Sequence, residues 1–171
     1  MILALAYHAS AGQALVPKQA ITIEIGGKGL LYNIRYEHNT GNNVIISAGF
    51  SFVHLSEKQT DNASTVLSFP LSVSYLYNFT NTQHYSEIGI GTTNLLTTGD
   101  LTEYGGITDF FINPTLIVGY RFYPTGKKWS LKASFTPFYG TKSLSNNEGT
   151  AFKPFGKQLQ PWGGFGFSYE L

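Results

Sequence analysis

His54-Leu55-Ser56 places a base and a hydroxyl nucleophile two positions apart. In an extended chain residues at that spacing share a face, so the pair supplies two parts of a hydrolytic triad. The third part, an orienting carboxylate, is not assigned by spacing, because Glu57 points to the other face. His8, His38, His54 and His84 stand singly, without carboxylate or cysteine at metal-ligand spacing. Gly26-Gly27-Lys28-Gly29 lies between two alternating segments and opens no helix, so it reads as a tight turn and not as a phosphate loop. No catalytic residue, cofactor or metal site is expected from these patterns. The remaining chemistry is ionic: Glu24, Arg35, Glu37, Glu87, Arg121, Lys132 and Glu170 lie out of phase with the apolar residues around them.

The elements that must position those charges follow from hydrophobic period. From Gln19 onward apolar residues recur every second position and no helical period is sustained, which reads as all-β. Eight segments are expected, marked by Ile21–Ile25, Leu30–Tyr36, Val44–Phe52, Leu67–Tyr77, Ile88–Ile90, Phe110–Phe122, Trp129–Tyr139 and Phe165–Leu171. Compact connections occur at Gly26–Gly29, His38–Asn43, Asn78–Gln83 and Tyr123–Lys128, and long ones at Leu55–Ser64, Leu95–Thr108 and Gly140–Gln158. An even number of antiparallel strands sends the three long connections to one end. Both termini and three short turns go to the other.

Polarity chooses between two barrels. Only 12% of the 171 residues are charged, while 42% are hydrophobic and 15% aromatic. A soluble domain carries about 25% charge. The face bearing the charges is otherwise small and polar: Ser47, Gly49 and Ser51; Ser68, Ser72 and Ser74; Gly89 and Gly91; Gly164, Gly166 and Ser168. Such a face suits the narrow lumen of an eight-stranded barrel whose oily face meets lipid. The charges would then form a structural ion-pair network closing the lumen. The alternative is a soluble lipocalin-like cup with the oily face inward around a hydrophobic ligand. Tyr36, Tyr77, Tyr120, Trp129 and Tyr169 would form an interfacial girdle near the short-turn end. Pro70, Pro114, Pro137 and Pro161 remove ladder donors and are expected toward the long-loop end.

A net charge of +1 carries no footprint for nucleic acid, and the absence of cysteine removes disulfides and thiolate sites. Residues 1–12, with Ile2-Leu3-Ala4-Leu5-Ala6 before Ala9 and Ala11, fit a truncated export signal, although no basic residue precedes the apolar stretch. Residues 13–171 are then one barrel domain.

Phe165-Gly166-Phe167-Ser168-Tyr169-Glu170-Leu171 resembles the terminal-strand signal that outer-membrane barrels present to the barrel assembly machinery. Phe165, Phe167, Tyr169 and Leu171 carry it, and Leu171 departs from the usual terminal Phe. With the segment from Ile23 to Glu37, the chain is similar to small eight-stranded outer-membrane β-barrel, or porin-family, proteins of Gram-negative bacteria. That resemblance implies an outer-membrane location with periplasmic termini, lipid and the assembly machinery as partners, and a structural or surface-interaction role. It implies no catalytic residue and names no surface ligand. His54-Leu55-Ser56 separately looks like part of an outer-membrane lipid A deacylase site, of which only the base and nucleophile match.

Overall fold

β-branched and aromatic residues at alternate positions favour a pleated, half-buried strand. Ten strands form: β1 (Gln19–Gly26), β2 (Tyr32–Asn39), β3 (Val44–Ser56), β4 (Ala63–Asn78), β5 (His84–Gly99), β6 (Asp109–Phe122), β7 (Trp129–Phe135), β8 (Phe138–Tyr139), β9 (Leu159–Gln160) and β10 (Gly163–Glu170). The computed structural model describes residues 16–29, 31–56, 63–79, 83–99, 109–139 and 159–171. The proposed export signal, the Leu30 position and most of the three long connections lie outside the described residues.

Neighbouring strands pair antiparallel, β1 pairs with β10, and the β5–β6 pairing closes the sheet into an eight-stranded barrel. The barrel wall consists of β1 to β7 and β10. β8 and β9 are short extensions of β7 and β10, separated from them by Thr136-Pro137 and Pro161-Trp162. These two prolines stand at the breaks, as their missing donors require. The Thr136 N–H bonds the Trp162 carbonyl at 2.6 Å, and the Leu116 N–H bonds the Pro137 carbonyl at 3.0 Å.

Pro70 and Pro114 differ from the expected placement, since both lie inside long strands. They pair in register with Thr93 and Thr92 of β5. On its other side β4 loses two ladder positions, between Ala48↔Leu71 and Ser51↔Ser68. The fifth strand also differs: it runs 16 residues, although Ile88 and Ile90 alone marked it. Its upper half, Thr92-Thr93-Asn94, is polar on both faces and conceals the alternation. The long connections are shorter than read, because β3 continues to Ser56, β4 begins at Ala63 and β5 reaches Gly99.

The wall is uneven, with β4 and β5 of 16 residues against 8 in β1, β2 and β10. The β1–β2 turn therefore lands within the barrel and not beyond its rim. Gly26 and Gly27 adopt φ of +72° and +67°, which a side chain disfavours, and Gly27–Gly29 form one 3-10 turn. That turn points into the lumen. Ser51 Oγ donates to the Gly29 carbonyl at 2.7 Å and Thr93 Oγ1 to the Lys28 carbonyl at 3.1 Å. Gly49 and Gly91 leave the space it occupies.

Candidate functional site: the sealed polar lumen

Strand phase places Glu24, Arg35, Glu37, Glu87, Arg121 and Lys132 on the inner face, where all six are buried. Arg121 is the hub. Its Nε lies 2.8 Å from Glu87 Oε2 and its Nη2 lies 3.0 Å from Glu37 Oε1. Arg35 completes a chain across β1 and β2, with Nη1 3.0 Å from Glu24 Oε2 and Nη2 2.8 Å from Glu37 Oε1. Lys132 Nζ lies 2.8 Å from Glu87 Oε2. The last two of these contacts are charge contacts at ion-pair distance without hydrogen-bond alignment. Ser134 and Ser74 donate to Glu24 and Glu87 at 3.1 and 2.7 Å. Isolated charges in so dry a space would cost several kcal/mol each, and pairing with added hydrogen bonds offsets that cost.

Glu170 does not join them. It is half-buried at the base of the barrel, opposite Ala20 in register, among Pro17, Tyr123, Lys127 and Lys128. Lys28 joins the lumen instead, donating to Ser72 Oγ at 2.6 Å. Its position in a turn hid it from strand phase. The sequence signal for it is the lone charge in a glycine turn joining two strands shorter than their neighbours. Among the described residues, Lys28, Arg35, Arg121 and Lys132 thus face Glu24, Glu37 and Glu87 inside the barrel.

Apolar layers close this set above and below. Toward the termini, Val16, Ile45, Leu76, Tyr85 and Tyr123 cluster under the ion pairs. Burial pushes the Tyr123 hydroxyl, in the turn after β6, up to about 12. Toward the other end Val66, Leu95, Phe111 and Phe138 cluster over the Lys28 turn, with Trp162 against them. Charges between two apolar layers can hold strands in register; a continuous wet path needs polar walls at both mouths.

The outer face has the opposite character. Ile23, Ile25, Ile34, Leu71, Val73, Ile88, Ile90, Val118 and Phe165 are all exposed, Ile90 by 69% and Phe165 by 74%. The inward-facing apolar cup is therefore ruled out. Tyr36, Tyr77, Tyr120 and Tyr169 point outward toward the terminal end, and Trp129 stacks on Phe167 with centroids 6.2 Å apart. Phe165, Phe167, Tyr169 and Leu171 are exposed on this face. His54 also faces outward, its Nδ1 3.2 Å from Thr65 Oγ1 on β4. The side chain of Ser56 lies outside the described residues.

No family model matches the sequence, and no curated protein matches it. Solved structures do. The crystal structure of the N-terminal β-barrel domain of Pseudomonas aeruginosa OprF aligns with 90% of this chain and 98% of its own, at 13% identity and a TM-score of 0.57. The structure of Ail, the attachment invasion locus protein of Yersinia pestis, in complex with the heparin analogue sucrose octasulfate, aligns with 90% of this chain and 99% of its own, at 9% identity and a TM-score of 0.47. The likeness to the OprF domain is one of fold: this chain has the architecture of a small outer-membrane β-barrel.

Proposed function

We propose that the protein is an outer-membrane β-barrel with periplasmic termini, a lumen closed by its ion pairs, and a structural or surface-interaction role at the opposite end. The observation that carries this is the inverted polarity of the wall, with charged groups sealed inside and large apolar side chains exposed outside. A soluble monomer rarely exposes contiguous apolar patches beyond a few hundred Å², whereas lipid accepts such a belt. An eight-stranded barrel has an interior about filled by its own side chains, which supports closure to ions. Biogenesis would use the barrel assembly machinery, reading Phe165, Phe167, Tyr169 and Leu171. The role requires no catalysis. His54 is bonded to Thr65 on the outer wall and has no buried carboxylate beside it among the described residues.

Electrophoresis of outer-membrane fractions, unheated against boiled in SDS, tests the reading. A heat-dependent mobility shift that survives carbonate washing is the expected result. Recovery in the soluble fraction with no shift would overturn it.

A further inference from the structure

β3 outruns its neighbour. Its ladder to β2 stops at Ile34↔Phe50, whereas its ladder to β4 continues through Ser51↔Ser68, Phe52↔Leu67, Val53↔Val66 and His54↔Thr65 to Ser56↔Ala63. For the last six residues of β3, about 20 Å at the strand rise, one side of the strand has no ladder partner among the described residues. Backbone polarity alternates along an antiparallel strand, so the groups on that side are identifiable. The Thr40 N–H bonds the Val44 carbonyl at 2.9 Å, and the Leu76 N–H bonds the Asn43 carbonyl at 2.8 Å. Even-numbered residues of β3 therefore aim their N–H and C=O toward β2, and odd-numbered ones toward β4. Past Phe50, this leaves Phe52 and His54 presenting their main chain at an open edge.

Natural edges are blunted by lysine, proline, a bulge or a covering loop. From Phe50 to Ser56 this strand carries no charged residue and no proline, and its register with β4 is unbroken by any bulge from Ser51 to Ser56. Phe52, half-exposed, meets Tyr32 edge to face at 6.0 Å, which marks where β2 turns away. Beside an apolar belt, unpaired main-chain groups cost several kcal/mol each. That cost falls if a strand docks there.

We infer that the Phe52–Ser56 edge of β3 is a docking site for an extended, uncharged polypeptide segment of a partner protein, added antiparallel to β3 as a further strand. Main-chain hydrogen bonds to Phe52 and His54 supply the affinity, and alternating apolar side chains continue the outer face beside Phe52. A segment rich in Lys, Glu or Pro is excluded by the same geometry. A second copy related by a two-fold along the membrane normal would meet this edge parallel, not antiparallel, so the occupant is a different chain. The site deepens the surface-interaction role proposed above and rests on it for the side of the membrane from which the partner comes.

The test uses the full chain folded in detergent micelles and a fluorescein-labelled peptide of about seven alternating valines and threonines. The expected result is saturable binding by anisotropy, with the Phe52 and His54 amides becoming protected from hydrogen exchange only when peptide is present. His54→Pro removes an edge donor while sparing the β4 ladder, and should weaken binding about tenfold with the heat-dependent gel shift retained. Binding unchanged in His54→Pro overturns the site, as does protection of both amides before peptide is added. Concentration-dependent protection in the free protein would assign the edge to a second copy and likewise overturn the proposal. Loss of the gel shift in the unmodified chain would instead count against the membrane reading.

Discussion

Arg121 and Glu37 stand on β6 and β2, which are diametrically opposite in the ring of eight strands, and their side chains meet in a bidentate pair: Nη1 to Oε2 at 2.5 Å and Nη2 to Oε1 at 3.0 Å. A single guanidinium thus spans the lumen and also holds Glu87 of the neighbouring β5. Its removal leaves two buried carboxylates short of their main cation. Arg121→Ala should cost about 3–5 kcal/mol, read as a lower urea midpoint in lipid vesicles. Glu87→Gln should also lower it, by less, because Arg121 retains Glu37. Unchanged midpoints in both would show that the network does not stabilise the barrel.

Replacing the whole cross-lumen pair should hurt less than breaking it. Arg121→Met with Glu37→Gln removes opposite charges together, so the double variant is expected to lie well above the sum of the two single losses. A double-mutant cycle on the same midpoints measures the coupling. Strict additivity would mean that the two side chains meet without energetic consequence.

On the lipid face, position along the strand should set the cost of charge. Val73 lies within the apolar belt and Tyr77 in the girdle on the same strand, and both are exposed. Val73→Arg is expected to cost about 2–4 kcal/mol and Tyr77→Arg about 1 kcal/mol or less. Urea midpoints in vesicles decide this. Equal and small costs would place Val73 in water.

Strand phase was legible because two solvents act on one wall. Each charged residue within a strand pattern faces the lumen or its base, since lipid rejects it, and the outward phase of every segment agrees with the structure. What was hidden has physical causes. β5 looked short because Thr92, Thr93 and Asn94 give no contrast between faces. Pro70 and Pro114 looked like strand limits, yet a barrel tolerates them where the ladder to one neighbour survives. Lys28 was invisible to an argument from alternation, since a turn has no phase. Its inward direction follows from the unequal lengths of β1–β2 and β3–β6, which are a property of the closed wall and not of any one segment. Glu170 has the right parity but sits at the last rung, where the lumen opens.

Alkaline unfolding should report Tyr123. Its hydroxyl is raised to about 12 by burial beneath the ion pairs, against about 10 in an unfolded chain. The folded state therefore holds this proton more tightly. The associated stability, on the order of 2 kcal/mol, is fully present below pH of about 10 and is lost as pH rises toward about 12. Tyr123→Phe should flatten that decline relative to the unmodified protein, in urea midpoints collected across the range. Parallel curves for the two proteins would assign the decline to other groups.

Gly27 and Gly41 separate backbone strain from crowding. Both have positive φ, +67° and +97°, so a side chain at either position is strained. At Gly41 an added Cβ meets nothing within 4 Å, whereas at Gly27 it would come within 2.6–2.9 Å of the Glu24 carboxyl group. Gly41→Ala should therefore cost about 1 kcal/mol, the strain alone. Gly27→Ala adds displacement of Glu24 from Arg35 and loosens the turn that carries Lys28, for a total of about 3 kcal/mol. The difference in urea midpoint between the two variants isolates the contribution of the inward turn. If they fall together, the turn does not press on the ion pairs, and the charges alone must hold the lumen closed.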